Sequence, residues 1–143
     1  MPHDLANLRF GSEQAAMATV LIIDDESMVR LMLRDCLESQ GHRVLEASDG
    51  VEGLQAFADE PVDVVVTDIV MPEKEGIETI LELKRRSADI GIIAISGGGR
   101  IDATDFLRIA QRLGADHTLK KPFALPDLHA ALNDCLERAA RPR

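Results

Sequence analysis

Val62-Asp63-Val64-Val65-Val66-Thr67-Asp68-Ile69-Val70-Met71-Pro72 opens as a β-branched apolar run and closes on an acid and a proline. A run of this kind suits a strand buried on both faces of a parallel sheet. Asp68 stands where the run gives way to a loop punctuated by Pro72. In open α/β sheets, ligands sit outside the carboxyl ends of the strands. Asp68 is therefore placed at the chemical end of its strand. A lone aspartate there reads first as a turn or capping residue, so its company decides.

That company is found elsewhere in the chain. Val20-Leu21-Ile22-Ile23 is a second buried-strand pattern and ends in Asp24-Asp25. Ile90-Gly91-Ile92-Ile93-Ala94-Ile95 is a third and ends in Ser96. His117-Thr118-Leu119-Lys120 is a fourth and leads into Lys121-Pro122-Phe123. An acid pair, an acid, a hydroxyl and a Lys-Pro step each follow a strand-like run, in that order. Each motif alone is weak, but together they are specific. The chain resembles a response-regulator receiver domain of two-component signal transduction, and the resemblance runs from about Met17 to Ala140.

Length and composition bound the reading. A chain of 143 residues is long enough for one core and too short for two ordinary domains. Hydrophobic residues at 45% and charged residues at 29% give a globular rather than a disordered balance. A net charge of −9 argues against a nucleic-acid or anionic-membrane surface, which both want clustered Lys and Arg. No apolar run reaches membrane-spanning length and no signal-peptide pattern opens the chain, so a cytoplasmic location is expected. Cys36 and Cys135 fall in separate helical patterns without metal-ligand spacing and read as reduced thiols in or near the core.

In chain order, residues 1–18 read as an N-terminal extension, 19–140 as the domain and 141–143 as a tail. A strand over Thr19–Asp24 leads into a helix over Ser27–Gln40. Val29, Leu33, Cys36 and Leu37 share one face of that helix, and Gly41 stops it. His42–Ala47 alternates and is more polar, which suits a sheet edge. Asp49 and Glu52 form a capping-box pattern at the start of a second helix, whose apolar face reads as Val51, Leu54 and Ala58. After the central strand, Pro72 and Gly76 punctuate a loop. Ile77, Ile80 and Leu81 mark a third helix. Gly97-Gly98-Gly99-Arg100 is the most pliable stretch. Phe106, Ile109, Ala110 and Leu113 mark helix four; Leu128, Leu132, Cys135 and Leu136 mark helix five. Five rounds of strand then helix imply an α/β doubly wound parallel sheet with helices on both faces. The flavodoxin-like (βα)5 strand order 2-1-3-4-5 is what the resemblance adds.

Converging carboxylates repel one another, and a hard divalent cation with oxygen ligands relieves the repulsion. The resemblance implies Mg²⁺, with Asp25 and Asp68 as direct ligands, Asp24 acting mainly through water, and the backbone carbonyl of Val70 completing the set. It implies Asp68 as the phosphoacceptor. Lys121, the lysine directly before proline, would neutralise charge, Lys120 being a solvated neighbour. Ser96 would donate its hydroxyl to a phosphoryl oxygen; its ordinary alternative is a serine bonded to nearby backbone. The family's lysine usually precedes a cis proline. The family also usually carries an aromatic three residues before that lysine, and here the position is Thr118. The neighbouring His117 reads as an ordinary strand or surface residue.

The expected function is that of a stand-alone phosphoacceptor, at most catalysing its own phosphotransfer and dephosphorylation, rather than an enzyme in the usual sense. Its expected partners are a histidine kinase or histidine phosphotransfer protein and a downstream protein. Self-association through helix four, strand five and helix five is a further expectation. Two rivals are weaker. A Mg²⁺-dependent phosphohydrolase generally wants alternating acids and a cap, whereas Asp24 and Asp25 are adjacent. A degenerate receiver serving as a scaffold does not need the complete acid, hydroxyl and lysine set. Gly97-Gly98-Gly99 lacks the spacing of a nucleotide-binding loop.

Overall fold

The computed structural model describes residues 17–69, 75–97 and 103–140. Its five strands are β1 (Thr19–Ile23), β2 (Arg43–Ala47), β3 (Val64–Asp68), β4 (Gly91–Gly97) and β5 (His117–Lys121). All adjacent pairs are parallel and the order is 2-1-3-4-5, the flavodoxin-like sheet. The helices are α1 (Ser27–Ser39), α2 (Gly50–Asp59), α3 (Glu75–Arg86), α4 (Ala103–Leu113) and α5 (Leu125–Ala140).

Side chains alternate across a strand, so each central strand feeds both faces. Val20 and Ile22, Val64 and Val66, and Ile93 and Ile95 pack with Leu33 and Leu37 of α1 and Leu128 and Leu132 of α5. Leu21, Ile23, Val65, Ile92 and Ala94 pack with Ile80 and Leu83 of α3 and Ala110 of α4. Full burial of each such aliphatic side chain contributes roughly 1.5–3 kcal/mol before entropy is counted. The polar strand β2 lies at one edge, as its pattern predicts, and β5 lies at the other.

Local signals act where the sequence places them. Gly41 adopts φ 92°, and its N–H bonds to the Glu38 carbonyl while that of His42 bonds to the Leu37 carbonyl. This is a Schellman stop for α1. The Asp49 carboxylate accepts from the Glu52 N–H at 2.8 Å. Glu52 returns not to Asp49 but to the N–H and hydroxyl of Ser48. Cys36 and Cys135 are free thiols, with burial and then the nearby Asp116 and Asp134 pushing Cys135 up to about 12.

Three helix faces differ from the apolar pattern. On α2, Val51 is 74% exposed and Ala58 is exposed, while Gly50 and Gly53 are buried. The inward face is built on glycines because α2 lies close against β1. A Cβ at Gly53 would come 2.4 Å from Ile23 Cδ1. On α3, Leu83 is buried and Leu81 exposed. Gly76 belongs to the first turn of α3 rather than to the preceding loop, and a Cβ there would lie 2.4 Å from the Ile69 Cα. On α4, Ala110 is buried and Ile109 is exposed. Ala18 also joins the core. It is buried, its N–H donates to His42 Nδ1, and its carbonyl accepts from the Arg43 N–H. Residues 1–16, Val70 to Lys74, Gly98 to Asp102 and 141–143 lie outside the described residues, and with them the expected Val70 ligand. Among the described residues no helix is long and apolar enough to cross a membrane.

Candidate functional site

Parallel pairing brings the carboxyl ends of the strands to one rim of the sheet. β1 ends at Ile23, and the Asp24 N–H still bonds to the Ala47 carbonyl, which fixes the acid pair beside β2. The Asp24 Oδ1 accepts from the Glu26 N–H at 2.8 Å, turning the chain into α1. Arg30, one turn into α1, donates from Nη1 to the Asp24 carbonyl at 2.6 Å and from Nε to Glu46 of β2 at 3.1 Å. Asp68 ends β3 and is buried; its register partner is Ile95, so Ser96 comes one residue later on β4. Ser96 and Gly97 pair in turn with Lys120 and Lys121 of β5.

Lys121 is the residue around which these side chains meet. Its Nζ lies 3.0 Å from Asp68 Oδ2, 3.1 Å from Asp24 Oδ2 and 3.3 Å from Glu26 Oε1. An ammonium has three N–H donors, so these three carboxylates use them all. Burial pulls the Lys121 pKa down. Asp68 and then Asp24 more than offset that, so the group titrates above lysine's ordinary range. The stem of Lys121 crosses bare backbone at Gly97, where a Cβ would meet the Lys121 Cβ at 2.3 Å. The Lys121–Pro122 peptide is cis. Lys120 is exposed.

Carboxylate oxygens of Asp24, Asp25, Glu26 and Asp68 all come within 4.8 Å of one another. Asp24 and Asp68 are buried; Asp25 and Glu26 are exposed. One ammonium among four acids leaves the group strongly negative, and every available donor is a hard oxygen. This donor set fits a hard divalent cation such as Mg²⁺ and does not fit a thiophilic metal. Ser96 is fully buried, and its Oγ has no hydrogen-bond partner among the described residues. Among the described residues, the ordinary alternative for that serine, a bond to nearby backbone, is not made.

The structure thus brings Asp24, Asp25, Asp68 and Lys121 together at one rim, with Ser96 on the strand between β3 and β5. Sequence reasoning missed Glu26 and Arg30. Glu26 continues the Asp24-Asp25 run, a signal that was available; Arg30 carries none, because its partner Glu46 is distant in sequence. His117 lies at the other end of β5, its Nε2 2.7 Å from Asp134 Oδ2 on α5. Thr118 is half-buried and paired with Ala94, so no aromatic occupies that position.

A rim of this kind on this sheet defines a class, and comparison with known proteins defines the same one. The family model described as the response regulator receiver domain matches residues 20–133, and the chain belongs to that family. The chemotaxis protein CheY of Halobacterium salinarum is 35% identical over 117 residues, 82% of this chain and 95% of that protein. The KDP operon transcriptional regulatory protein KdpE of Escherichia coli is 38% identical over 122 residues, 85% of this chain and 52% of that protein. The sensor kinase CckA of Brucella abortus is 37% identical over 132 residues, 89% of this chain and 13% of that protein. The chain therefore spans nearly all of one curated relative, about half of another and a small part of the third. Among solved structures, a receiver domain protein from Clostridium thermocellum aligns with a TM-score of 0.79 at 34% identity, covering 86% of this chain and 97% of that one. The chain is thus a two-component response-regulator receiver domain, a signalling domain.

Proposed function

We propose that the chain accepts a phosphoryl group on Asp68 from a phosphohistidine of a histidine kinase or histidine phosphotransfer protein. An Asp68 carboxylate oxygen attacks phosphorus, the P–N bond breaks, and the electron pair stays on the departing imidazole, which takes up a proton. Phosphoryl transfer asks the protein for positioning and charge neutralisation more than for acid–base groups. The observation that carries the reading is the Lys121 ammonium bound to Asp68 and Asp24 at the rim. Asp25 and Asp68 would hold Mg²⁺ directly, with Asp24 acting through water. When bound, the ion supplies positive charge opposite the transferring phosphoryl oxygens. Lys121 brings the second positive charge, and Ser96 offers its hydroxyl. The signal then leaves by protein–protein contact, through α4, β5 and α5. A receiver domain structure described as a beryllofluoride-activated dimer, that of NtrC4, aligns with a TM-score of 0.77 at 28% identity, covering 87% of this chain and all of that one.

Incubation with a small-molecule phosphodonor and Mg²⁺, followed by intact mass, tests this. The expected result is one base-labile phosphoryl adduct, lost in Asp68→Asn and lost on chelation. An adduct that persists in Asp68→Asn places the acceptor elsewhere. No adduct on the native chain favours a scaffold.

A further inference from the structure

Glu26 is the acid that the mechanism above leaves without a task. Its side chain is 62% exposed, and it starts α1 without making a side-chain capping bond. Its carboxylate nevertheless reaches Lys121 at 3.3 Å, as the third acceptor of a saturated ammonium. The other two acceptors, Asp24 and Asp68, are buried and lie on the site that a cation or a phosphoryl group would claim. A cation there would draw these carboxylates from the lysine, and a phosphoryl group would occupy the Asp68 oxygen itself. Glu26 shares the acidic rim but is the exposed member of the three, at the mouth of the site. A phosphoryl group on Asp68 would then have to draw the lysine from Glu26.

Resting on the phosphoacceptor reading, we propose that Glu26 is a positioning residue for Lys121 which competes with the phosphoryl group for the ammonium and so limits how firmly the phosphorylated form is held. An exposed ion pair is weak and screened by salt. The effect is correspondingly modest and salt-sensitive. The geometry also sets a length requirement, because an aspartate at this position is one methylene too short to keep the contact.

Two measurements on the full chain test this. The first is the Lys121 ammonium signal in ¹⁵N NMR, assigned by its disappearance in Lys121→Met and recorded with saturating Mg²⁺ and no phosphodonor. Native protein should show a hydrogen-bonded ammonium; E26Q should show it moved to the free-lysine position or broadened by exchange. An identical signal in both overturns the proposal. The second is the affinity for beryllofluoride, a stable phosphoryl mimic, with Mg²⁺ present. E26Q should bind it about 2–5-fold more tightly at low salt. The gain should vanish near 1 M salt, where the screening length is about 3 Å. Glu26→Asp should behave like E26Q. If it behaves like native protein, charge alone matters and the positioning role is wrong. A tenfold or greater loss of Mg²⁺ affinity in E26Q would make Glu26 a metal ligand, and that too overturns the proposal. If native protein neither binds the mimic nor accepts phosphate, the function proposed above fails, while the lysine signal still decides the role of Glu26.

Discussion

Replacing Ser96 by alanine should make the resting protein more stable and the phosphorylated form less so. The hydroxyl is fully buried and has no partner among the described residues. A buried hydroxyl left without a bond costs about 1–3 kcal/mol. Alanine keeps the Cβ and removes only the oxygen, so it relieves that cost and opens little space. Setting the lost dispersion contacts of one atom against the gain leaves a net stabilisation of about 1 kcal/mol. In a domain of this size that raises the melting temperature by about 3–5 °C. Urea and thermal unfolding of Ser96→Ala and native protein, both in chelator, measure it, with an unchanged m value showing that two-state behaviour is kept. The same variant should bind beryllofluoride at least about tenfold more weakly, since a hydrogen bond to a charged group contributes about 1.5–3 kcal/mol. A destabilisation of about 1 kcal/mol or more would show that the hydroxyl is bonded inside the fold. The reasoning that it is reserved for a ligand would then fail. Stabilisation with unchanged affinity would refute only the ligand half.

Asp25→Ala should weaken Mg²⁺ binding while leaving the metal-free protein as stable as before or more so, because it removes one of four mutually repelling acids and Asp25 is exposed. Titration calorimetry and denaturation in chelator read the two effects separately, and undiminished Mg²⁺ affinity contradicts the ligand assignment. His42 should make the fold sensitive to mild acid. Burial and then the nearby His129 hold its pKa below the ordinary value, and its Nδ1 accepts from the Ala18 N–H at 3.0 Å, which requires the neutral ring. The unfolded chain therefore binds more protons than the folded one below about pH 6.5, so stability falls as pH falls through that window, by at most about 1.4 kcal/mol per pH unit. Denaturation between pH 7.5 and pH 5.5 should show this slope in native protein and a flatter one in His42→Gln; equal slopes would assign the loss elsewhere.

How far the sequence reaches depends on whether the signal is carried by side chains in one segment. The five strands, the Gly41 stop and the Asp49 cap are local signals, and each appears at its place. The inward faces of α2 and α3 are less legible. An apolar count gives no weight to glycine, so Val51 outweighs Gly53 on paper. Against Ile23 only the smaller residue fits. The same blindness puts Gly76 in a loop, although it lies in a helix whose first turn touches the backbone of Ile69. Both errors arise where two elements approach closely, a property of the pair and not of either segment. The site is legible in part for the same reason. Acids, hydroxyl and lysine each stand at the carboxyl end of their own strand, whereas the contact of Lys121 with Glu26 spans 95 positions and has no sequence mark.

The register of the sheet explains why a charge event at Asp68 should be felt along β4 and β5. Asp68 pairs with Ile95, Ser96 with Lys120, and Gly97 with Lys121. The hydroxyl and the ammonium that would meet a phosphoryl group are therefore carried by neighbouring strands, one residue apart in register. In the resting form the hydroxyl has no described partner and the ammonium is saturated by three carboxylates. On the proposed function, a phosphoryl group would reverse both conditions, giving the hydroxyl an acceptor and the ammonium a stronger one. Both changes would pull on the ends of β4 and β5, from which α4 and α5 follow in the chain. With Thr118 where the family usually carries an aromatic, coupling of this kind would run through backbone and lysine. A local charge event acting on an element with two positions is sufficient for such a switch.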